Sequence, residues 1–458
     1  MLVLFGATGD LATRLLFPAL FELYDRELLP PRFAVIGSSR HSPGADEDFR
    51  RRVTEAVLAS ARGADPEKAR RFAERTQFVA ASAEDGTDLA AAVARRRSEL
   101  GDGCRTFLYL ALPPRHLAEM LHMAERTGLA DHAHLMVEKP LGEDVDSARA
   151  LNRLLAATAP EERVLRVDHF LAKEPVRDLL TLRTENGWLA ALWNRRRIAW
   201  VQIDVPETLG IEGRASFMEA TGVFRDMVPT HLAQVLAAVA MEPPASDDAE
   251  EERAARLRLF RRTRPFQPDE TVFGQYDGYR DEEGVADDSA TETFAALRVW
   301  IDDPRWEGVP FLLRTGKAMG SSDARVTVRF RPPDAGARDT APTGSDLVVH
   351  LGAEDGVRLG LRLDRPGPHR EVVDAELRLA RGPSASGTPL SSYARVFLHA
   401  LDGDRRLFTT PAEVERIWEL AAPVLDAPPR ALPYARGSFG PRAADALAAD
   451  GGWRTPAS

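Results

Sequence analysis

Leu2-Val3-Leu4-Phe5-Gly6-Ala7-Thr8-Gly9-Asp10-Leu11-Ala12 is a short apolar run, a glycine turn, and the start of a helical stretch that continues to Leu23. An unbroken apolar run of four suits a strand buried on both faces. Gly6, Gly9 and Ala12, spaced three apart, supply the small residues that let backbone approach a pyrophosphate at the positive end of a helix. The spacing departs from G-x-G-x-x-G, and a glycine turn in any α/β protein fits it equally well when taken alone.

Further strands follow at the intervals this turn leads one to expect. Phe33 to Gly37, Phe78 to Ala80, Thr106 to Leu110 and His134 to Val137 alternate with helical stretches, which predicts a doubly wound, Rossmann-like parallel sheet. The second run ends in Ser38-Ser39-Arg40, where an NAD site usually has an acid for the ribose hydroxyl. Hydroxyls and a guanidinium suit a 2′-phosphate instead, so NADP is the expected cofactor. After Asp168 the pattern changes to alternating segments such as Trp200 to Val205, Thr293 to Ile301 and Val326 to Phe330, which read as antiparallel strands covered by helices. The predicted class is α/β plus α+β: residues 1–167 as an NADP-binding domain, and 168–458 as a larger domain with a mostly antiparallel sheet. Pro332 to Asp346 and Gly382 to Ser392 read as surface loops, and Asp247 to Arg264 as a solvated, salt-bridged helix.

Sixty basic against 70 acidic residues leave a formal charge of −10, which disfavours nucleic acid and anionic membrane as partners. The single cysteine, Cys104, excludes a disulfide framework and a cysteine-rich zinc site, and no metal is expected. No apolar run approaches the roughly 20 residues of a membrane span. Met1 is followed at once by the first strand, with no room for a signal segment, so a cytoplasmic protein is predicted. Of the 60 basic residues only Lys68, Lys139, Lys173 and Lys317 are lysine. A chain that otherwise chooses arginine invites the question of what a compact ammonium does at each place. Lys68 sits in a plain helix start; the other three fall in motifs.

Those motifs resemble the glucose-6-phosphate dehydrogenase family. The likeness begins at Gly6 to Ala12 and continues through Tyr109-Leu110-Ala111-Leu112-Pro113-Pro114, Glu138-Lys139-Pro140-Leu141-Gly142 and Arg166-Val167-Asp168-His169-Phe170-Leu171-Ala172-Lys173-Glu174. Arg225 to His231, Thr291 to Phe294, Arg314 to Lys317 and Pro433 to Pro441 complete it. The resemblance implies oxidation of the anomeric carbon of glucose 6-phosphate, an active site between the domains, and a homodimer, or a homotetramer, joined through the antiparallel sheet. It implies that Gly6, Ala7, Thr8, Gly9, Asp10, Leu11, Ser39, Arg40, Ala111, Leu112, Pro113 and Lys139 meet the cofactor. Lys139, His169, Phe170, Lys173, Glu207, Asp226 and Lys317 are the substrate contacts, with a cis bond before Pro140. His231 becomes the general base and Asp168 the acid that orients it; a satisfied core histidine is the alternative for His231.

Some positions depart from the family pattern. Leu15 stands in place of a lysine, Phe170 of a tyrosine, Ser322 of a basic residue, and Gly352 near a usual glutamine. Fewer donors to one anion should weaken its binding, since charge-assisted hydrogen bonds contribute roughly 1.5 to 3 kcal/mol each. Two other readings therefore stay open at this point: the same chemistry on a modified hexose or hexose phosphate, and a non-catalytic nucleotide-binding relative that regulates a dehydrogenase.

Overall fold

The computed structural model describes residues 1–60, 63–101, 103–332, 345–352, 356–367, 371–379, 389–448 and 452–455. Most of both predicted loops, at 333–344 and 380–388, lies outside the described residues. The chain divides into two compact units, Met1–Ala172 with Thr388–Val414, and Lys173–Gly387 with Glu415–Ser458.

In the first unit the apolar runs become strands because each is buried along its length. The strand order is Phe408–Thr409, Val164–Val167, Ala133–Glu138, Thr106–Leu110, Leu2–Phe5, Val35–Ser38, Thr76–Phe78. All pairings are parallel except that of Phe408–Thr409 with Val164–Val167. The order reverses at Leu2–Phe5, whose neighbours are the second and fourth strands of the chain, and a crevice opens beyond strand ends at such a reversal. The predicted helix Leu11 to Leu23 is instead a π turn, Ala12–Leu16, followed by the helix Phe17–Asp25. Pro18, which has no amide to donate, accounts for the wide turn.

The predicted boundary at 167 leaves out a return of the chain. Helix Ser392–Asp402 buries Tyr393, Val396, Phe397 and Ala400 in the core of the first unit, and Phe408–Thr409 extends its sheet. The apolar face of that helix is evident in sequence at i, i+3, i+4 and i+7, but periodicity does not say which core it joins.

The second unit holds a sheet ordered Glu371–Leu379, Val357–Arg365, Asp346–His350, Arg325–Phe330, Ile198–Pro206, Phe311–Gly316, Phe294–Val299, Thr271–Tyr276, Leu432–Tyr434. It is antiparallel but for two pairs, Ile198–Pro206 with Phe311–Gly316 and Thr271–Tyr276 with Leu432–Tyr434. The charged stretch forms the helix Ala249–Arg262, capped by Asp248, yet it is not simply solvated: Glu252, Arg253 and Arg256 are buried. Arg177 from the helix Glu174–Thr184 meets both oxygens of Glu252, and Arg256 lies 3.5 Å away, so the carboxylate is paired rather than stranded.

Candidate active site

The nucleotide-binding candidates all lie at the carboxyl ends of the parallel strands. Gly6 takes φ +77°, and a Cβ there would sit 2.3 Å from the Ala111 carbonyl oxygen, so only glycine allows the turn to pass the end of Thr106–Leu110. Several amides of this turn are used by the turn itself. Gly6 and Ala7 donate to the Ser38 carbonyl at 2.9 and 3.2 Å, and Gly9 to the Gly6 carbonyl at 2.9 Å. Those bonds leave out the amides of Thr8, Asp10 and Leu11, at the entry to the helical segment. Thr8, Gly9 and Asp10 are exposed, Arg40 is exposed beyond the second strand, and the Thr8 hydroxyl lies 3.3 Å from that of Ser39. Hydroxyls, amides and a guanidinium with no acid at 38–40 fit a phosphorylated dinucleotide. Ala111 and Leu112 are half-buried and Pro113 exposed in the loop after the fourth strand.

The fifth strand ends in Glu138, and the Lys139–Pro140 bond is cis, as the resemblance implied. Glu138 is buried, and loss of solvent pushes its carboxyl up to about 7, against the opposing effects of hydrogen bonds from Tyr109 and Tyr393 and the charge of Lys139. Tyr393 comes from the returning segment, and its ring also stacks on His169, centroids 5.3 Å apart at 19°. Asp168 and Phe170 are buried in the turn after the sixth strand, where the Phe170 amide donates to Asp168 Oδ1 at 3.0 Å. His169 is half-buried and, with Leu15, Arg14, Arg26, Ser391 and Tyr393, lines a cavity of about 610 Å³. Leu15, in place of the family's lysine, is thus an exposed apolar side chain on a wall shared with His169.

In the second unit, Lys173 occupies the N-cap position of the helix Glu174–Thr184. Glu207 and Lys317 follow the neighbouring parallel strands Ile198–Pro206 and Phe311–Gly316, whose last residues pair in register. Segments about 110 positions apart therefore present an ion pair, Lys317 Nζ to Glu207 Oε2 at 2.6 Å, with the lysine buried and the glutamate partly open. Tyr434 donates its hydroxyl to the Lys317 carbonyl at 2.6 Å, giving the Pro433 to Pro441 motif a role in holding that turn. Asp226 and His231 share one helical segment; Asp226 is half-buried, and the imidazole is buried in a π turn, Val228–Leu232. Ser322 and Gly352 lie exposed outside the strands.

Sequence reasoning had overlooked Glu138, Tyr393, Glu292 and Tyr434 as individual side chains. Three of them stand inside the motifs quoted above; Tyr393 stands in none, and only its burial brings it to Glu138.

Comparison with known proteins accords with this arrangement. The profile described as "Glucose-6-phosphate dehydrogenase, NAD binding domain" matches residues 3–178, and "Glucose-6-phosphate dehydrogenase, C-terminal domain" matches 180–454. The chain is 36% identical over its full length to glucose-6-phosphate 1-dehydrogenase 1 of Mycobacterium tuberculosis, covering 96% of that protein. It is 34% identical to glucose-6-phosphate 1-dehydrogenase of Aggregatibacter actinomycetemcomitans, with 99% of this chain and 97% of that one covered. The crystal structure of the Mycobacterium avium enzyme matches with a TM-score of 0.87 at 36% identity, covering 100% of this chain and 99% of that one. A glucose-6-phosphate dehydrogenase in complex with glucose 6-phosphate matches with a TM-score of 0.91 at 30% identity, covering 100% and 98%. The chain belongs to the glucose-6-phosphate dehydrogenase family.

Proposed function

We propose that the protein oxidises glucose 6-phosphate at its anomeric carbon with NADP, yielding the phosphoglucono-lactone. The observation that carries this reading is a likeness at 34 to 36% identity spanning both units, to the Mycobacterium tuberculosis and Aggregatibacter actinomycetemcomitans proteins named for that activity. The readings as a modified-sugar enzyme or a non-catalytic relative are not favoured.

The proposed roles follow from the chemistry. The anomeric carbon gives up a hydride and its hydroxyl a proton. His231 receives the proton, and Asp168 holds the imidazole in the right tautomer and stabilises its cation. His169 and Lys173 hold the phosphate, Lys139 meets both the nicotinamide and the substrate, and Phe170 backs the His169 ring. Glu207 and Asp226 accept from sugar hydroxyls, with Lys317 beside Glu207. NADP, when bound, supplies the hydride acceptor; the amides after Gly6 would take its pyrophosphate and Ser39 and Arg40 its 2′-phosphate.

A homodimer through the antiparallel sheet is part of the same proposal, and the outermost hairpin supports it. On Val357–Arg365 and Glu371–Leu379, cross-strand partners Leu361 with Ala375 and Leu363 with Val373 share one apolar face, while Arg362 with Asp374 lie on the other. Leu361, Leu363, Leu377 and Leu379 stay 39 to 55% exposed on a single chain, a patch that a second copy would cover. No described helix is long and apolar enough to cross a membrane, and a relative from Arabidopsis thaliana is named as cytoplasmic, which supports a cytoplasmic location.

The test is reduction of NADP followed by absorbance, with glucose 6-phosphate compared against a panel of hexoses and hexose phosphates. Turnover fastest with glucose 6-phosphate is the expected result. Preference for another sugar, or no turnover with any, overturns the reading.

A further inference from the structure

The segment that carries Asp226 and His231 begins abruptly. Gly222 breaks the helix Ala215–Met227 with φ +67° and ψ 163°, so the amides of Val223 and Phe224 have no helical carbonyl one turn below. One residue takes both. The Val223 amide donates to the Glu292 carbonyl at 3.1 Å, and the Phe224 amide to the Glu292 carboxylate at 3.0 Å. A Cβ on Gly222 would lie 2.2 Å from that carboxylate, so glycine at 222 and glutamate at 292 are complementary.

The far end is held as fully. Arg183 donates to the Ala238 carbonyl at 2.7 Å and to that of Met241, Trp193 to Val239 at 2.8 Å, and Trp306 to Ala240 at 2.7 Å. Between the two ends lies the π turn, where Pro229 has no amide to give and the Thr230 hydroxyl donates to the Asp226 carbonyl. A segment pinned at both ends and widened in the middle has one axial position for the side chain at 231.

We infer that Glu292 is a positioning residue for His231, setting the height and rotation of the imidazole by holding the first two amides of its helix. The inference rests on His231 being the general base. Slippage by one residue at the cap would move the imidazole by about 1.5 Å and turn it by about 100°. A misplacement of about 1 Å already costs on the order of a hundredfold in rate.

Turnover should be measured per nucleotide-binding site, counted by NADP titration so that any unfolded fraction drops out, together with KM for glucose 6-phosphate. Glu292→Ala should lose about ten- to a hundredfold in kcat per site with KM within about twofold. Glu292→Gln, whose amide oxygen can still accept from Phe224, should recover most of that loss. Gly222→Ala, which displaces the carboxylate without removing it, should resemble Glu292→Ala. Glu219→Gln is the control: its carboxylate takes Tyr279 and Ser289 ahead of the break, and its kcat should be unchanged. Normal kcat per site in Glu292→Ala, or equal damage in Glu292→Gln, overturns the inference while the His231 reading stands. Near-normal turnover in His231→Asn would remove the base reading and this inference with it.

Discussion

Replacing Glu138 with glutamine should stabilise the protein, and increasingly so as pH rises. The carboxyl is buried beside two tyrosine hydroxyls, and desolvation carries it from 4.5 to about 7. In the unfolded chain Glu138 ionises near 4.5, whereas in the fold it keeps its proton until about 7. The folded value is raised, so stability from this group is fully present below 4.5 and is lost as pH rises through 7. At about 1.4 kcal/mol per pH unit of displacement, the cost of the ionised carboxyl approaches about 3 kcal/mol at pH 8 and is less than half that at pH 5.5. Glutamine cannot ionise. Its amide keeps an oxygen for one tyrosine, and its nitrogen can donate to the other, whose hydroxyl is free to rotate. Denaturant unfolding of wild type and Glu138→Gln across pH 5.5 to 8 therefore checks the argument. The variant should gain about 2 kcal/mol relative to wild type over that range. A difference that stays constant with pH, or that falls, would show that Glu138 is not held protonated by its surroundings.

His231→Asn should leave NADP binding intact, by fluorescence titration, while turnover falls at least about a hundredfold; Asp168→Asn should lose rate too, though less, because the base remains. Arg40→Ala should weaken NADP and leave NAD nearly unchanged, narrowing the ratio of the two dissociation constants; an unaltered ratio would reassign the 2′-phosphate contact. If the proposed homodimer forms through this face, Leu361→Glu with Leu377→Glu should leave only monomer by sedimentation, since charge on the apolar face of the outer hairpin cannot be buried unpaired; a wild type that is itself monomeric overturns the proposal.

The nucleotide-binding half was legible because its signals are local. An apolar run, a glycine turn and a helix start all fall within eleven residues, and the strands that follow are buried on both faces and so continuously apolar. Strand ends moved by about two positions, as with Val35–Ser38 against a predicted Phe33 to Gly37, because hydrogen bonding rather than apolarity sets the last paired residue. The scarcity of lysine marked positions 139, 173 and 317 without any structure, since arginine could have served a merely solvated role.

Tertiary structure decided what depends on separation along the chain. Glu207 and Lys317 become partners only because their strands run parallel in register, and the burial of Glu252 follows from Arg177 on another helix. Tyr393 and Glu138, some 250 positions apart, meet because the segment after 388 returns to the first core. Glu292 caps a helix that starts seventy residues earlier. In each case residue type advertised that a polar group would need a partner, and the choice of partner was left to the topology that buried it.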